Sequence, residues 1–407
     1  MRHVAILGAG AAGSMAAIFA ARSGARTTLI ERTADGGRKI LISGGGRCNI
    51  LPARLDEARF VTDSSPNTLR KIVRSWPLAE QIAFFEQDLG IALAEEAESA
   101  KLFPVSNRAR DVRDALLAAA ARHGATVLTS CTVADFAPTD SGWRVSLAGA
   151  PPLDVDTVIV ATGGLSVPNT GSDGAGLRIV ERLGHTIHET YAALTPLVAE
   201  PAPFGVLAGV SLRVTLAARS ETRSATATGG LLFTHRGYSG PSVLDVSHVA
   251  VRVGGASSPR DTMRVQWTAL GDADWERALR PNGRRTVIGA LRAELPDRLA
   301  AALLDIAGVD ATTMLSELRR DQRLRVIETL VRGELPWTGH EGYRKAEVTG
   351  GGVSLAEIDP RTLESRRHRG LFLCGEMLDA FGPIGGYNFY WAWATGRAAG
   401  LGAAGAS

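Results

Sequence analysis

Gly8-Ala9-Gly10-Ala11-Ala12-Gly13 reads G-x-G-x-x-G and stands between an apolar run, Val4-Ala5-Ile6-Leu7, and an Ala-rich stretch without proline that continues to Arg22. The apolar run predicts a short buried strand, and the Ala-rich stretch predicts a helix stopped by Ser23-Gly24. A second apolar run at residues 27–30 predicts another strand, with Glu31 at its end. Each part has a physical task. Gly8 permits a tight turn, Gly10 lets backbone approach a diphosphate, and Gly13 lets helix and strand pack closely. The helix start, through Ala11 and Ala12, offers free amides and a positive dipole to an anion. Glu31 stands where a carboxylate accepts hydrogen bonds from ribose hydroxyls, and an acid there disfavours a 2′-phosphate. Strand, glycine turn, helix, strand and acid within 31 residues predict a dinucleotide-binding α/β fold, without separating FAD from NAD.

A chain of 407 residues predicts more than one domain. Hydrophobic residues make up 45% and charged residues 21%, as in ordinary globular proteins. No apolar run is long enough for a membrane helix. The N-terminal run keeps three spaced glycines and leads into Glu31-Arg32, unlike a cleaved leader, so a cytoplasmic protein is expected. Cys48, Cys131 and Cys374 form no C-x-x-C pair, which excludes a disulfide framework, a zinc knuckle and a dithiol redox pair. No metal site is expected. The net charge of +3 gives no strong nucleic-acid signal.

A second glycine-rich run, Gly37-Arg38-Lys39-Ile40-Leu41-Ile42-Ser43-Gly44-Gly45-Gly46-Arg47-Cys48-Asn49, suits backbone pressed against a flat or anionic ligand. Arg38, Lys39 and Arg47 supply charge to offset a diphosphate. Further on, residues 156–161 predict a strand running into Thr162-Gly163-Gly164, and residues 371–374 predict another ending in Gly375-Glu376. Gly385-Gly386-Tyr387-Asn388 precedes a helical run at 389–399. The glycine-rich stretch 171–176 follows no strand, so no separate NAD(P) domain is expected.

These blocks resemble the BaiN/YhiN-like flavoproteins, a family that includes aminoacetone-oxidase-type members. The resemblance rests on both glycine runs and on Leu102-Phe103-Pro104-Val105-Ser106. It continues through Ala161-Thr162-Gly163-Gly164-Leu165-Ser166-Val167-Pro168 and Phe233-Thr234-His235-Arg236-Gly237-Tyr238-Ser239-Gly240-Pro241. Val348-Thr349-Gly350-Gly351-Gly352-Val353, Cys374-Gly375-Glu376-Met377-Leu378-Asp379 and Gly385-Gly386-Tyr387-Asn388 complete it. It spans nearly the whole chain. The chain departs from the family pattern at Ile50-Leu51-Pro52 and at Ala380-Phe381-Gly382-Pro383-Ile384, both where the flavin is expected.

The resemblance implies an FAD domain of the two-dinucleotide-binding, Rossmann-like class, built from residues 1–190 and 340–407. A β-rich substrate subdomain at 191–274 and a helical cap at 275–339 would interrupt it. Ala161, Thr162 and Gly163 would cross under the FAD, Gly375 and Glu376 would hold its ribityl chain, and the helix after Gly385-Gly386 would face the pyrimidine edge. The expected FAD set also includes Arg32, Ser43, Gly44, Gly45, Cys48, Asn49, Val133, Asp379, Tyr387, Asn388 and Phe389.

Three chemistries follow from the resemblance. The leading one is an NAD(P)H-driven reductase of an activated C=C bond in an unsaturated substrate, with NADH or NADPH as transient electron donor. The second is an aminoacetone-oxidase-like flavin amine oxidase. The third is a ribosomal RNA uridine reductase, a dihydrouridine synthase. Cys48, His235 and Tyr387 are the candidate proton donors. For an RNA surface, Arg319-Arg320 with Arg323 and Arg325, and Arg366-Arg367-His368-Arg369, are the basic runs.

Overall fold

The computed structural model describes residues 1–253, 261–281 and 284–405. The stretches 254–260, 282–283 and 406–407 of the expected domains lie outside the described residues. The chain divides into two compact units, Met1–Ala192 with Glu347–Ser407, and Ala193–Ala346.

In the first unit, five parallel strands form one sheet in the order Leu371–Leu373, Thr157–Val160, His3–Leu7, Arg26–Ile30, Thr126–Leu128. The central strands are apolar throughout because a parallel sheet with helices on both faces has no wet side. Val4 to Leu7 and Val158 to Val160 are accordingly buried. Residues from both ends of the chain thus enter one sheet, with Leu7 level with Ile30 on one side and Val160 on the other.

Helix Ala11–Arg22 packs on helix Tyr387–Ala404 at unusually short range. A Cβ at Gly396 would sit 2.3 Å from the Ala12 carbonyl oxygen, and one at Gly400 2.4 Å from that of Ala16. The C-terminal helix is also pinned by side chains. Trp391 Nε1 donates to the Gly375 carbonyl and Trp393 Nε1 to the Ile50 carbonyl, each at 3.0 Å. Buried bonds of this kind contribute about 1 kcal/mol each and fix the helix start relative to both glycine-rich regions. Two small antiparallel sheets flank the parallel one: Leu51–Pro52 with Lys101–Pro104 and Leu93–Glu96, and Val133–Thr139 with Gly142–Leu147 and Ala150–Val155.

The second unit holds a seven-stranded antiparallel sheet whose long central pair, Ser211–Arg219 and Ser224–Phe233, alternates buried and exposed side chains. Helices Pro241–Val253, Asp297–Ala307 and Arg320–Arg332 contribute to the same hydrophobic cluster as the sheet. The β-rich and helical segments therefore share one core, formed by side chains such as Trp267, Trp275 and Leu299.

Candidate functional site

The turn Gly8 to Gly13 is set by backbone rather than by side chains. Gly8 takes φ +103°, and a Cβ at Gly13 would lie 1.8 Å from the Gly8 carbonyl oxygen. Beside Gly10 a Cβ would meet no atom within 4 Å, and no side chain caps the helix that begins at Ala11. Open space next to uncapped amides fits the diphosphate of a dinucleotide. Glu31 is buried; its Oε2 accepts from the Ala9 amide (2.8 Å) and its Oε1 from the amide and hydroxyl of Thr33 (2.7 Å each). The carboxylate therefore organises the turn, and Oε2, which accepts a single bond, keeps a lone pair for a ribose hydroxyl.

The second glycine run forms a short helix, Arg38–Ile42, followed by a tight turn in which Gly44, Gly45 and Gly46 all take positive φ. Beside Gly45, too, a Cβ would meet nothing within 4 Å. The charges of this run are paired within the protein. Arg38 bonds Asp35 (2.8 Å), and Arg47 bonds Glu96 (2.9 Å) while lying over the Phe103 ring. Arg32 bonds Asp173 at 2.6 Å. Arg38 and Arg47, expected to offset a diphosphate, each have a carboxylate partner at the surface. Ser43 donates to the Ile40 carbonyl (2.7 Å).

Lys39 leads to a network that the sequence reading did not assemble. Its Nζ donates to Glu376 Oε2 and Ser166 Oγ, both at 2.5 Å, and Ser166 Oγ donates to Glu376 Oε1. Thr349 donates to Glu376 Oε1 from both its amide (3.0 Å) and its hydroxyl (2.9 Å), and its Oγ1 accepts from the Leu165 amide (2.7 Å). Gly164 is required beside it, since a Cβ there would fall 2.4 Å from Thr349 Oγ1. Glu376 therefore ties the Ala161-Thr162-Gly163 turn, strand Val348–Val353 and the Gly-rich run together. The polar pattern of Ser166 and Thr349 inside glycine-rich blocks was the available signal for it.

Asp379 is buried and forms a second network. Its Oδ2 accepts from Ser64 Oγ (2.7 Å), Thr62 Oγ1 (2.9 Å) and the Asp63 amide (3.0 Å). His188 Nε2 lies 3.3 Å from Ser64 Oγ and 3.7 Å from Asp379 Oδ2. Burial pushes the Asp379 carboxyl above the ordinary carboxylate range, against the pull of its hydrogen bonds and of His188.

At the C-terminal helix start, Gly385 and Gly386 take positive φ and no side chain caps the first turn. With its amide oriented by the surrounding groups, Asn49 accepts from the Gly386 amide (2.9 Å) and donates to the Leu51 carbonyl (3.2 Å). The Asn388 side chain bridges both backbone groups of Gly382 at 2.9 Å. Phe389 stacks on Trp393 at 5.3 Å, and Val133 begins a strand, half-buried against the core.

The three expected proton donors have different surroundings. Cys48 has no exposed surface, and burial pushes its thiol up to about 12. Cys48 sits at a left-handed turn (φ +62°), packed in the core of the first unit. Tyr387 is buried, its hydroxyl donating to the Arg54 carbonyl (3.3 Å) and accepting from the Asp56 amide (3.2 Å), so the phenol is taken up by backbone. His235 is exposed on a hairpin of the second unit that is closed by the Thr234 amide donating to the Gly237 carbonyl (2.8 Å). Cys48→Ala is expected to keep FAD and turnover while lowering stability by about 1–2 kcal/mol through the cavity it leaves. A fall in kcat of about tenfold or more with FAD retained would return the thiol to the chemistry.

Comparison with known proteins gives a consistent picture. The HI0933-like protein Rossmann domain family matches residues 2–402. The ribosomal RNA dihydrouridine synthase of Escherichia coli (strain K12) is 31% identical over 406 residues, covering 96% of this chain and 95% of its own. The 3-dehydro-bile acid delta(4,6)-reductase of Clostridium scindens is 32% identical over 413 residues, covering 99% of each. Among solved structures, the open conformation of a flavocytochrome c3 fumarate reductase shares the fold. It is 15% identical with a TM-score of 0.50, covering 99% of this chain and 78% of its own. No helix among the described residues is long and apolar enough to cross a membrane. With a glycine turn open to a diphosphate, a parallel sheet completed by both chain ends, and a match over almost its whole length, the chain belongs to the HI0933-like Rossmann-domain family and is an FAD-dependent oxidoreductase.

Proposed function

We propose that the protein is an NAD(P)H-driven reductase of an activated C=C bond in an unsaturated organic substrate. The observation that carries this reading is the pair of relatives at 31% and 32% identity, matched over at least 95% of each chain. Their names describe hydrogenation of a uracil ring and of a conjugated bile-acid ring, which is one reaction on two substrates. FAD, held by the Gly8 to Gly13 turn and the Glu376 network, would supply the hydride chemistry that such a reduction needs. The cysteines support direct transfer: Cys48 and Cys374 are buried and held as thiols, so they form no dithiol relay.

The chain's own residues bind the cofactor and manage a proton. The turn Gly8 to Gly13 and the first helix start receive the diphosphate. Glu31 orders that turn and meets the ribose. Glu376, held by Lys39 and Thr349, fixes the second crossing. The proton beside the hydride acceptor comes from the His188–Ser64–Asp379 chain. Ser64 donates to Asp379, whose protonated form burial favours, and so links that carboxyl to the partly exposed imidazole of His188. A ribosomal RNA uridine substrate is the second reading, favoured by the Escherichia coli relative.

The test is anaerobic stopped-flow reduction of the yellow protein by NADH and NADPH, followed by mixing with oxygen and with candidate enones and uridine-containing RNA. Fast bleaching by a nicotinamide, slow reoxidation in air and fast reoxidation by an enone or by the RNA are expected. Negligible bleaching by either nicotinamide, with fast reoxidation by oxygen after chemical reduction, would overturn the reductase reading in favour of an oxidase.

A further inference from the structure

The basic runs that stand out in the sequence are paired with carboxylates in part. Arg319 and Arg325 share Asp321 (3.5 and 3.0 Å), Arg323 faces Glu276 (3.6 Å), and Arg367 bonds Glu357 (2.6 Å). A different set of cations gathers around an open pocket of about 420 Å³ in the first unit. Lys71, Arg74, Arg361 and Arg397 line it together with Pro360 and Leu401, and no carboxylate lines it. They come from three separate segments: the end of helix Pro66–Val73, the loop at 360–361 and the C-terminal helix.

The cations differ in what already holds them. Arg74 pairs with Glu57 (2.9 Å) and Arg361 lies 3.7 Å from Asp359, both on the surface. Lys71 and Arg397 have no carboxylate partner among the described residues. Arg397 is half-buried, its guanidinium set over the Phe19 and Trp76 rings (5.5 and 5.3 Å), with a single long bond to the Ser75 carbonyl (3.4 Å). Glu80 acts on it only through its field. Aromatic faces position such a guanidinium without consuming its charge or most of its donors, which leaves them to an outside anion. Arg397 lies ten residues along the helix from Tyr387, about 15 Å of helix axis, so this pocket is distinct from the glycine-rich helix start.

We propose that this pocket binds a nucleotide unit, its phosphate on Lys71, Arg361 and Arg397 and its base against Pro360 and Leu401. A volume of this order lies within the range of small-ligand sites, and cations beside apolar side chains match a molecule with a charged end and an apolar face. The phosphate belongs either to an RNA strand or to a free nucleotide. The site rests on the pocket's own geometry and stands apart from the reductase reading.

The experiment uses the FAD-loaded protein and a Lys71→Glu/Arg361→Glu variant, both substitutions being at exposed positions. A short fluorescein-labelled single-stranded RNA, ADP and inorganic phosphate are the probes, read by anisotropy and competition over a salt series. The expected result is RNA binding weakened at least about tenfold in the variant, with a salt dependence shallower by about one to two phosphate contacts, and unchanged flavin absorbance. Displacement of the RNA by ADP assigns the pocket to a free nucleotide; RNA binding that ADP leaves intact assigns it to a strand. Equal affinity in the two proteins, or no binding of RNA or ADP by either, overturns the proposal.

Discussion

Gly13→Ala is expected to yield a protein that no longer retains FAD and folds poorly. The added methyl would sit 1.8 Å from the Gly8 carbonyl oxygen and 3.2 Å from Ala161 Cβ. Neither neighbour can yield. Gly8 is fixed by its own bond to the Ile30 carbonyl (2.8 Å) and by its close approach to Ala161, where a Cβ would meet the carbonyl oxygen at 2.6 Å. Three backbone segments converge at that point, so relief requires the first helix to move off the sheet. Overpacking a rigid contact costs about 1–3 kcal/mol in ordinary cores, and a carbonyl at this distance places the cost at or above that limit.

Gly10→Ala separates folding from binding. A methyl there meets no protein atom within 4 Å, and the residue has no left-handed requirement (φ −77°). This variant is expected to fold with wild-type stability and still lose FAD, because the methyl occupies the space left for the diphosphate. Flavin absorbance of the purified proteins and denaturation midpoints check both. A yellow Gly13→Ala protein with an unchanged midpoint would contradict the packing argument; a yellow Gly10→Ala protein would contradict the placement of the diphosphate.

Local rules made one part of this molecule legible. The strand, turn, helix and second strand around Gly8 to Gly13 follow from spacing and apolar period, and helix Ala11–Arg22 has the bounds its composition predicts. The C-terminal helix was legible in part: its expected run of 389–399 extends in the structure to Tyr387–Ala404, since Gly386 ends the preceding turn and buried Trp391 and Trp393 replace an amphipathic pattern. What sequence spacing does not encode is which distant groups meet. Lys39 and Glu376 are 337 positions apart, and Thr62 and Asp379 are 317 apart. Charge runs mislead for the same reason. Arg366 to Arg369 looks like a patch in one dimension, but Arg367 is spent on Glu357, while Lys71, Arg361 and Arg397 form a patch that no window along the chain contains.

Asp379 gives the other large effect. Asp379→Ala removes the oxygen that the Asp63 amide and the Ser64 hydroxyl donate to, while the Thr62 hydroxyl keeps its 2.6 Å bond to the residue's backbone carbonyl; two donors lose their acceptor in a site where Asp379 is 1% exposed. A loss of about 3 kcal/mol or more is expected. Asp379→Asn keeps an acceptor oxygen at that place and removes a buried charge, so its cost is expected to be about 1 kcal/mol or less. The sign of the pH effect follows from the raised carboxyl. Between the ordinary value of 3.8 and its higher native value, the folded chain holds a proton that the unfolded chain has released. Raising the pH through that interval therefore lowers stability, and lowering it restores stability. Asp379→Asn is expected to remove this contribution, which urea midpoints measured across weakly acidic pH will show as a flatter profile than wild type. If Asp379 also serves the reaction as part of the His188–Ser64–Asp379 chain, the same well-folded variant loses turnover by about 10²-fold while keeping its FAD and its rate of reduction by the nicotinamide. Full turnover in a folded, yellow Asp379→Asn protein would confine the residue to holding Thr62 and Ser64 in place. The proton would then have to come from another group.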